Sequence, residues 1–285
     1  DILIDLNGHT YGNRLLAMAR KPAPLQFTYL GFAASTGMSA MDYRITDHEF
    51  DPPSLGDALY TEKLLRMPDS LWCYRPLGDF EELTDAPAGK NGYVTFASLN
   101  GFHKIHQALL EDWASLLQRV PQSRLLMVTV PDGKTRDRIL DTFAAAGIAR
   151  HRIELRGRLA PSAFRSLHRD CDIALDAFPC GGGATTCEVL WMGIPVISRK
   201  GETPVSRAGA SLLGTVGLPD LVAQDRDAFF EIATTLAASP QRIASLRLGM
   251  RERMRASPLM QEARFTGSLE ELYRQAWRDW CENNP

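Results

Sequence analysis

The run of glycines and threonines between residues 176 and 188 has the residue types of an anion-binding loop. It reads Asp-Ala-Phe-Pro-Cys-Gly-Gly-Gly-Ala-Thr-Thr-Cys-Glu and joins an apolar stretch to a predicted helix. Glycines let backbone N–H groups approach an oxyanion, and a helix start adds free N–H donors and a positive dipole end. The predicted diphosphate ligands are Gly182, Gly183, Thr185 and Thr186. Glu188, one turn into the helix, is within reach of a ribose diol. The alternative is a tight turn with a Thr N-cap. The spacing matches neither a dinucleotide fingerprint nor a Walker loop, which argues against dinucleotide binding and ATP hydrolysis.

A lysine in the loop 98–105 is the second group suited to binding phosphate. Lys104 lies between a predicted strand and a predicted helix, where a cation meets the unfavourable end of the helix dipole. An anionic partner would explain this position, and a solvated lysine is the alternative. The same loop contributes Asn100 and Gly101 as further candidate phosphate ligands.

The loop 157–164 has the residues to contact the base of a nucleotide. Ala160 could present its backbone groups to a base edge, with Phe164 beside it. Pro161 and Ser162 begin the next helix, and proline fits a first helical turn. The alternative is a plain helix start with Phe164 in the core.

The loop 30–37 is the candidate for the sugar side of the site. Leu30 and Gly31 follow an apolar strand and could contact a sugar, although an ordinary loop is the alternative. Cys180, next to the glycines, is assigned to the same side, with a small buried hydrophobe as the alternative. Another strand-to-helix loop, 200–207, contains Arg207, for which we predict a structural ion pair.

Other kinds of site fit the sequence poorly. His103 and His106 are three residues apart, but no third ligand has a useful spacing, so we predict no metal. No Ser-His-Asp set is visible. The formal net charge of −2 argues against general binding to nucleic acid or anionic lipid, and no apolar run reaches the ~20 residues of a membrane span. The five cysteines, an odd number, indicate a reducing compartment, so we expect a cytoplasmic protein.

Alternating strands and helices must position these loops. From Tyr93 onward, apolar strands alternate with amphipathic helices, which is typical of a parallel sheet with helices on both faces. Ligands of such sheets bind beyond the carboxyl ends of the strands. The length of 285 residues predicts about two domains, with a boundary in the aperiodic stretch 76–92. The chain opens within an apolar strand pattern and without Met, so we expect further protein to precede it.

Seven short segments occur in a fixed order along the chain. They are Pro-Ala-Pro-Leu-Gln (22–26), Tyr-Leu-Gly-Phe (29–32), Met-Asp-Tyr-Arg-Ile-Thr-Asp (41–47), Leu-Asn-Gly-Phe-His-Lys-Ile (99–105), Leu-Asp-Ala-Phe-Pro-Cys-Gly-Gly (175–182), Leu-Trp-Met-Gly-Ile-Pro-Val (190–196) and Gly-Glu-Thr-Pro-Val-Ser-Arg (201–207). In this order they resemble O-linked N-acetylglucosamine (O-GlcNAc) transferases and their plant SPINDLY-type relatives. The resemblance covers nearly the whole chain and is greatest to bacterial members such as that of Xanthomonas.

The resemblance implies an α/β protein of GT-B type, in which two Rossmann-like domains with doubly wound parallel sheets hold a nucleotide sugar between them. Residues 1–85 would be the end of the first Rossmann-like domain. Residues 86–265 would be the complete nucleotide-sugar-binding domain, and 266–285 a helix that packs back on the first domain. The implied partners within the same protein are an upstream catalytic part and tetratricopeptide (TPR) repeats. The family's candidate general base, a histidine, would lie upstream, and His9 is not at its position.

The resemblance also assigns roles to residues that match the family motifs. Lys104 corresponds to the lysine that contacts the UDP phosphates and assists the leaving group. Gly183, Ala184 and Thr185 fall where relatives wrap the diphosphate, and Glu188 falls where an acidic residue holds the ribose.

Further positions correspond to the base and the sugar, and some depart from the family pattern. Ala160 falls at the uracil-reading loop, and Leu30 and Gly31 fall near the sugar. The departures are Gly101 in place of a Gln of some relatives, Ala184 in place of the usual Thr, and Phe164 where a His is frequent. Fewer diphosphate contacts and an aromatic ring packed on uracil are the expected consequences.

The function implied by the resemblance is inverting, metal-independent transfer of N-acetylglucosamine from UDP-GlcNAc to Ser or Thr hydroxyl groups of a protein or peptide. No cofactor is expected beside this UDP-sugar donor. The alternatives are another donor such as UDP-glucose or the GDP-fucose of SPINDLY-like relatives, another acceptor, a UDP-GlcNAc 2-epimerase, and a sugar-nucleotide-binding module without catalysis.

Overall fold

Strands throughout the chain form two sheets in which every neighbouring pair runs parallel. The computed structural model describes residues 1–284, apart from the side chains of residues 54 and 56. The strands are β1 (Ile2–Asp5), β2 (Leu25–Tyr29), β3 (Tyr43–Asp47), β4 (Lys63–Met67), β5 (Thr95–Ser98), β6 (Arg124–Met127), β7 (Ile153–Leu155), β8 (Ile173–Leu175), β9 (Val196–Arg199) and β10 (Val222–Ala223). The first sheet has the order β1-β2-β3-β4 and the second the order β10-β9-β8-β5-β6-β7. The predicted α/β class with parallel sheets is confirmed.

Helices connect the strands. They are α1 (Leu15–Met18), α2 (Pro53–Gly56), α3 (Pro87–Asn91), α4 (Gln107–Arg119), α5 (Lys134–Ala145), α6 (Pro161–Arg165), α7 (Ala184–Trp191), α8 (Ala208–Thr215), α9 (Arg226–Ala237), α10 (Pro240–Ala256) and α11 (Glu262–Asn283). In α4, Leu109, Trp113 and Leu116 recur at helical spacing, and all three are buried on the face toward the second sheet. No helix within residues 1–284 is long and apolar enough to cross a bilayer.

The strands of the second sheet are shorter than the apolar runs that predict them. The run 172–177 predicts a longer strand, but β8 ends at Leu175, although the N–H of Asp176 still donates to the Ile197 carbonyl of β9 at 2.9 Å. β10 was not predicted, because a strand of two residues carries no detectable alternation. The residues that follow the observed strand ends belong instead to the loops at the carboxyl edge of the sheet.

The C-terminal helix α11 covers the first sheet. It begins at Glu262, ahead of the predicted boundary at 266. Its apolar residues pack on a buried cluster that includes Phe27, Ile45 and Met67; they are Phe265, Leu269, Leu272, Tyr273, Trp277 and Trp280. The chain therefore leaves the first sheet, builds the second and returns to the first. The domain limits at residues 85 and 265 stay a prediction.

Buried polar contacts join the two sheets. Arg207, at the start of α8, is fully buried and lies 3.6 Å from Oδ1 of Asp51, which follows β3 and is equally buried. Its Nε donates to the carbonyl of Phe50 at 2.6 Å. Trp72 Nε1 donates to Ser211 Oγ at 2.8 Å. Arg207 is therefore an ion-pair partner of the kind predicted, and it links the two sheets.

The chain crosses between the sheets twice, once after β4 and once before α11. The two crossings lie side by side, because the Tyr74 N–H donates to the Leu259 carbonyl at 2.9 Å. Two ion pairs also join these connections: Arg75 pairs with Glu262, and Arg264 pairs with Asp69.

Candidate functional site

The loops after β5 and β8 meet because these two strands are neighbours in the second sheet. Lys104 Nζ, from the first loop, donates to the carbonyl of Gly181 in the second loop at 2.6 Å. Asn100 Nδ2 donates to Asp176 Oδ1 at 2.9 Å. The structure thus brings together the two loops that the sequence predicts to bind phosphate.

A buried carboxylate, that of Asp176, holds this junction. Oδ1 of Asp176 accepts the Gly182 N–H at 2.9 Å as well as the amide of Asn100, and Oδ2 accepts the Ser198 hydroxyl at 2.8 Å. Burial raises the pKa of Asp176, while the hydrogen bonds from Gly182, Ser198 and Asn100 and the charge of Lys104 act in the opposite direction. These donors satisfy a carboxylate rather than a neutral acid, so Asp176 acts as an anion that gathers the loop.

The glycines of the loop make room for this arrangement. A Cβ on Gly181 would lie 2.9 Å from Oδ2 of Asp176. A Cβ on Gly182 would lie 2.8 Å from Oδ1 of Asn100 and would clash with the Thr186 hydroxyl. Since the N–H of Gly182 already donates to Asp176, this glycine supports a ligand by its small size rather than as a free donor.

The amino end of α7 leaves backbone donors free. Among residues 1–284, no hydrogen-bond acceptor is paired with the N–H groups of Gly183, Ala184 or Thr185. Ala184 is exposed, Thr185 is half-buried, and the Thr186 side chain is buried. The free N–H groups and the helix dipole give this end of α7 a positive potential beside the Lys104 ammonium. A diphosphate is the kind of ligand that such a potential favours.

Glu188 and the start of α6 lie beside this helix end. Glu188 is half-buried in α7, and its burial raises the pKa of its carboxyl, against the opposing charge of Arg165 from α6. Ala160 lies exposed at the N-cap of α6. Phe164 is half-buried and packs on the core of the second sheet. Pro161 and Ser162 are exposed in the first turn. This loop is thus open to a ligand, with the ring of Phe164 partly engaged in packing.

Four other residues that the sequence predicts for the site lie in the loops after β2, β5 and β8: Leu30, Gly31, Gly101 and Cys180. Leu30 and Gly31 follow β2 with φ of +54° and +55°, and a Cβ on Gly31 would lie 2.5 Å from the Asn7 carbonyl carbon, which explains the glycine. No hydrogen bond in the described part of the chain joins them to Lys104. Cys180 is a half-buried free thiol next to the glycines, and Gly101 is half-buried before Lys104.

Sequence reasoning missed three residues at this junction. Asp176 has a detectable signal, an acid directly after a fully buried strand. Trp72 comes from the first crossing between the sheets, and its ring lies 3.3 Å from the position of a Cβ on Gly183. His106 donates to the carbonyl of Phe178 in the second loop. Neither of these last two has a signal in the local sequence, because their partners are far along the chain.

Replacing Gly182 with alanine is expected to weaken ligand binding at the α7 end. The new methyl group must displace the Thr186 hydroxyl and Asn100, both of which are buried. The affinity for UDP, measured by isothermal titration calorimetry, should fall at least tenfold, the equivalent of about 1.4 kcal/mol. Gly249→Ala on α10 is the matched control, because nothing lies within 4 Å of its added Cβ. Equal affinities for the two variants would contradict the prediction.

Comparisons with known proteins show which family this chain is similar to. The model of glycosyl transferase family 41 matches residues 1–86 and 88–269. The probable UDP-N-acetylglucosamine–peptide N-acetylglucosaminyltransferase SPINDLY of Petunia hybrida is 41% identical over 287 residues, which are 100% of this chain and 31% of the relative. The probable enzyme of the same description named SEC, from Arabidopsis thaliana, is 30% identical over 295 residues, 98% of this chain and 29% of the relative. The chain therefore spans about a third of these curated relatives.

Solved structures show the same architecture. A lysine-to-methionine variant of the Thermobaculum terrenum O-GlcNAc transferase superimposes with a TM-score of 0.92 at 35% identity, over 100% of this chain and 54% of that one. Sucrose-phosphate synthase from Thermosynechococcus elongatus has a TM-score of 0.58 at 17% identity, over 95% of this chain and 81% of its own, and shares the fold alone. The expected GT-B type of fold is confirmed. As the resemblance to O-GlcNAc transferases predicted, the chain belongs to glycosyl transferase family 41.

Proposed function

We propose that this chain is the nucleotide-sugar-binding part of an inverting glycosyltransferase that moves N-acetylglucosamine from UDP-GlcNAc to Ser or Thr hydroxyl groups of a protein. The observation that carries the proposal is the Lys104 ammonium, held on the Gly181 carbonyl beside the free N–H groups of α7. Membership of family 41 and the activities by which the relatives are named support the same donor and acceptor.

In this reaction the acceptor hydroxyl oxygen attacks the anomeric carbon and gives its proton to the general base expected upstream, while the bond from that carbon to the β-phosphate oxygen breaks. The anomeric configuration inverts, and negative charge grows on the departing UDP. Lys104 and the amino end of α7 are placed to stabilise that charge, which is where preorganised donors contribute most to a rate. Because this positive potential can stabilise the departing UDP, the proposed transfer needs no metal ion and no cofactor.

The other predicted contacts follow from the same placement of UDP. With the diphosphate at the α7 end, Glu188 would accept from the ribose hydroxyls. The open loop at Ala160 and Phe164 would take the uracil, and the half-buried Cys180 would face the sugar. The upstream catalytic part, the TPR repeats, the general base and the cytoplasmic location remain predictions.

Calorimetry and a transfer assay on the complete protein test the proposal. We expect UDP to bind more tightly than GDP, and a peptide with Ser or Thr to accelerate UDP release from UDP-GlcNAc more than from UDP-glucose. A chelator should leave the rate unchanged. Tighter binding of GDP with turnover of GDP-fucose would replace the donor, and UDP binding without transfer would indicate a binding module instead of an enzyme.

A further inference from the structure

His106 bridges the two loops of the candidate site. Its Nε2 lies 2.7 Å from the carbonyl oxygen of Phe178, which precedes the glycines, and its Nδ1 accepts the Leu109 N–H at 3.4 Å as the N-cap of α4. A carbonyl can only accept and a backbone N–H can only donate, so Nε2 carries the proton and Nδ1 is bare. Both ring nitrogens are thus engaged, and only the neutral imidazole satisfies both partners.

The ring of Phe178 is held from the same helix. Arg199 of β9 lies over this ring, with its guanidinium carbon 3.6 Å from the ring centre. That guanidinium donates to the carboxylate of Asp112, which is buried on α4. Helix α4 therefore fixes Phe178 twice, by its carbonyl through His106 and by its ring through Asp112 and Arg199.

Two parallel links consequently join the segment 104–106 to the segment 178–181. Lys104 binds the Gly181 carbonyl, and two residues later His106 binds the Phe178 carbonyl. The Asp176 carboxylate holds the loop at Gly182 and the Lys104 ammonium holds it at Gly181, whereas the His106 bond fixes its Phe178 end. The second link does not itself reach the free N–H groups of α7.

We propose that His106 is a positioning residue that holds the glycine loop at the distance from Lys104 that transfer requires. The inference rests on the proposed function and deepens it, because it adds a residue that acts through Phe178 without touching the nucleotide sugar. Losing the link should lower kcat more than it raises KM, since misplacement by about 1 Å of groups that stabilise a transition state can cost up to about a hundredfold in rate.

Two substitutions in the complete protein separate the bond to Phe178 from the helix cap. His106→Asn retains a short acceptor for the Leu109 N–H but cannot reach Phe178. His106→Gln places an amide N–H near the position of Nε2 and weakens the cap. We expect kcat to fall at least tenfold in His106→Asn with little change in thermal stability, and to stay within about threefold of the parent in His106→Gln. His151→Asn, at an exposed histidine, is the control for the substitution itself.

Hydrogen exchange of the Gly182 amide gives a second readout that needs no turnover. This N–H is bonded to Asp176, and we expect its exchange to accelerate at least tenfold in His106→Asn but not in His106→Gln. Unchanged exchange and unchanged kcat in His106→Asn would overturn the positioning role. If the parent protein bound no UDP, the proposed function would fail, and the exchange rates alone would still decide whether His106 holds the loop.

Discussion

Replacing Lys104 with alanine should lower kcat by about a hundredfold to a thousandfold, while UDP still binds. Charge develops on UDP only as the anomeric bond breaks, so the ammonium contributes more to the transition state than to the ground state. Removing one such donor typically costs about 2.7–4 kcal/mol in the barrier. The free N–H groups of α7 remain, so the loss of UDP affinity should be about tenfold at most. The measurements are initial rates of UDP release and calorimetric titration with UDP.

A matched control for this substitution is Lys90→Ala, at an exposed lysine of α3. It removes the same charge and the same number of atoms and should leave kcat within about twofold of the parent. A near-normal kcat for Lys104→Ala would rule out the leaving-group role. A weakened UDP affinity with an unchanged kcat would instead show that Lys104 binds substrate and transition state equally.

Replacing Asp176 with alanine should lower the free energy of unfolding by about 3–5 kcal/mol and abolish UDP binding. The substitution leaves the Gly182 N–H, the Asn100 amide and the Ser198 hydroxyl buried without their acceptor. Each unsatisfied buried donor costs about 1–3 kcal/mol. Urea unfolding followed by circular dichroism gives the stability, and calorimetry at a temperature where the variant is folded gives the UDP affinity.

Two comparisons separate the role of the Asp176 carboxylate from a general effect of removing charge. Asp79→Ala, at an exposed position, should change the stability by less than about 0.5 kcal/mol. Asp176→Asn keeps the shape but turns one acceptor into a donor that faces other donors, so it should destabilise nearly as much as alanine. If Asp176→Ala unfolds at the same urea concentration as the parent, the carboxylate does not hold the loop.

Much of the architecture could be predicted because strong local patterns encode it. The apolar residues of α4 and the strands around it repeat at helical or strand spacing, and a buried parallel sheet requires such runs. The meeting of Lys104 with the glycine loop followed from one rule, that functional loops gather at the carboxyl ends of neighbouring strands. The order of the strands, which makes β5 and β8 neighbours, is visible only in the folded chain.

The contacts within the site were less predictable because they join residues distant in sequence. Gly181 and Gly182 suggested an oxyanion near the backbone, and the structure supplies one inside the protein, the carboxylate of Asp176. In the sequence, His106 is considered only as half of a metal site, and its bond to the Phe178 carbonyl was not predicted. The glycines thus indicated the right chemistry and His106 did not, and in both cases only the fold identifies the partner.

The bond between Tyr74 and Leu259 places both connections between the sheets at one point. Any change in the angle between the sheets would therefore have to bend both connections at this point. Trp72 lies two residues before Tyr74, and its ring is 3.3 Å from the position that a Cβ on Gly183 would occupy. A change in that angle could withdraw the indole ring from the loop only by breaking its hydrogen bond to Ser211, so this bond couples the arrangement of the two sheets to the shape of the site between them.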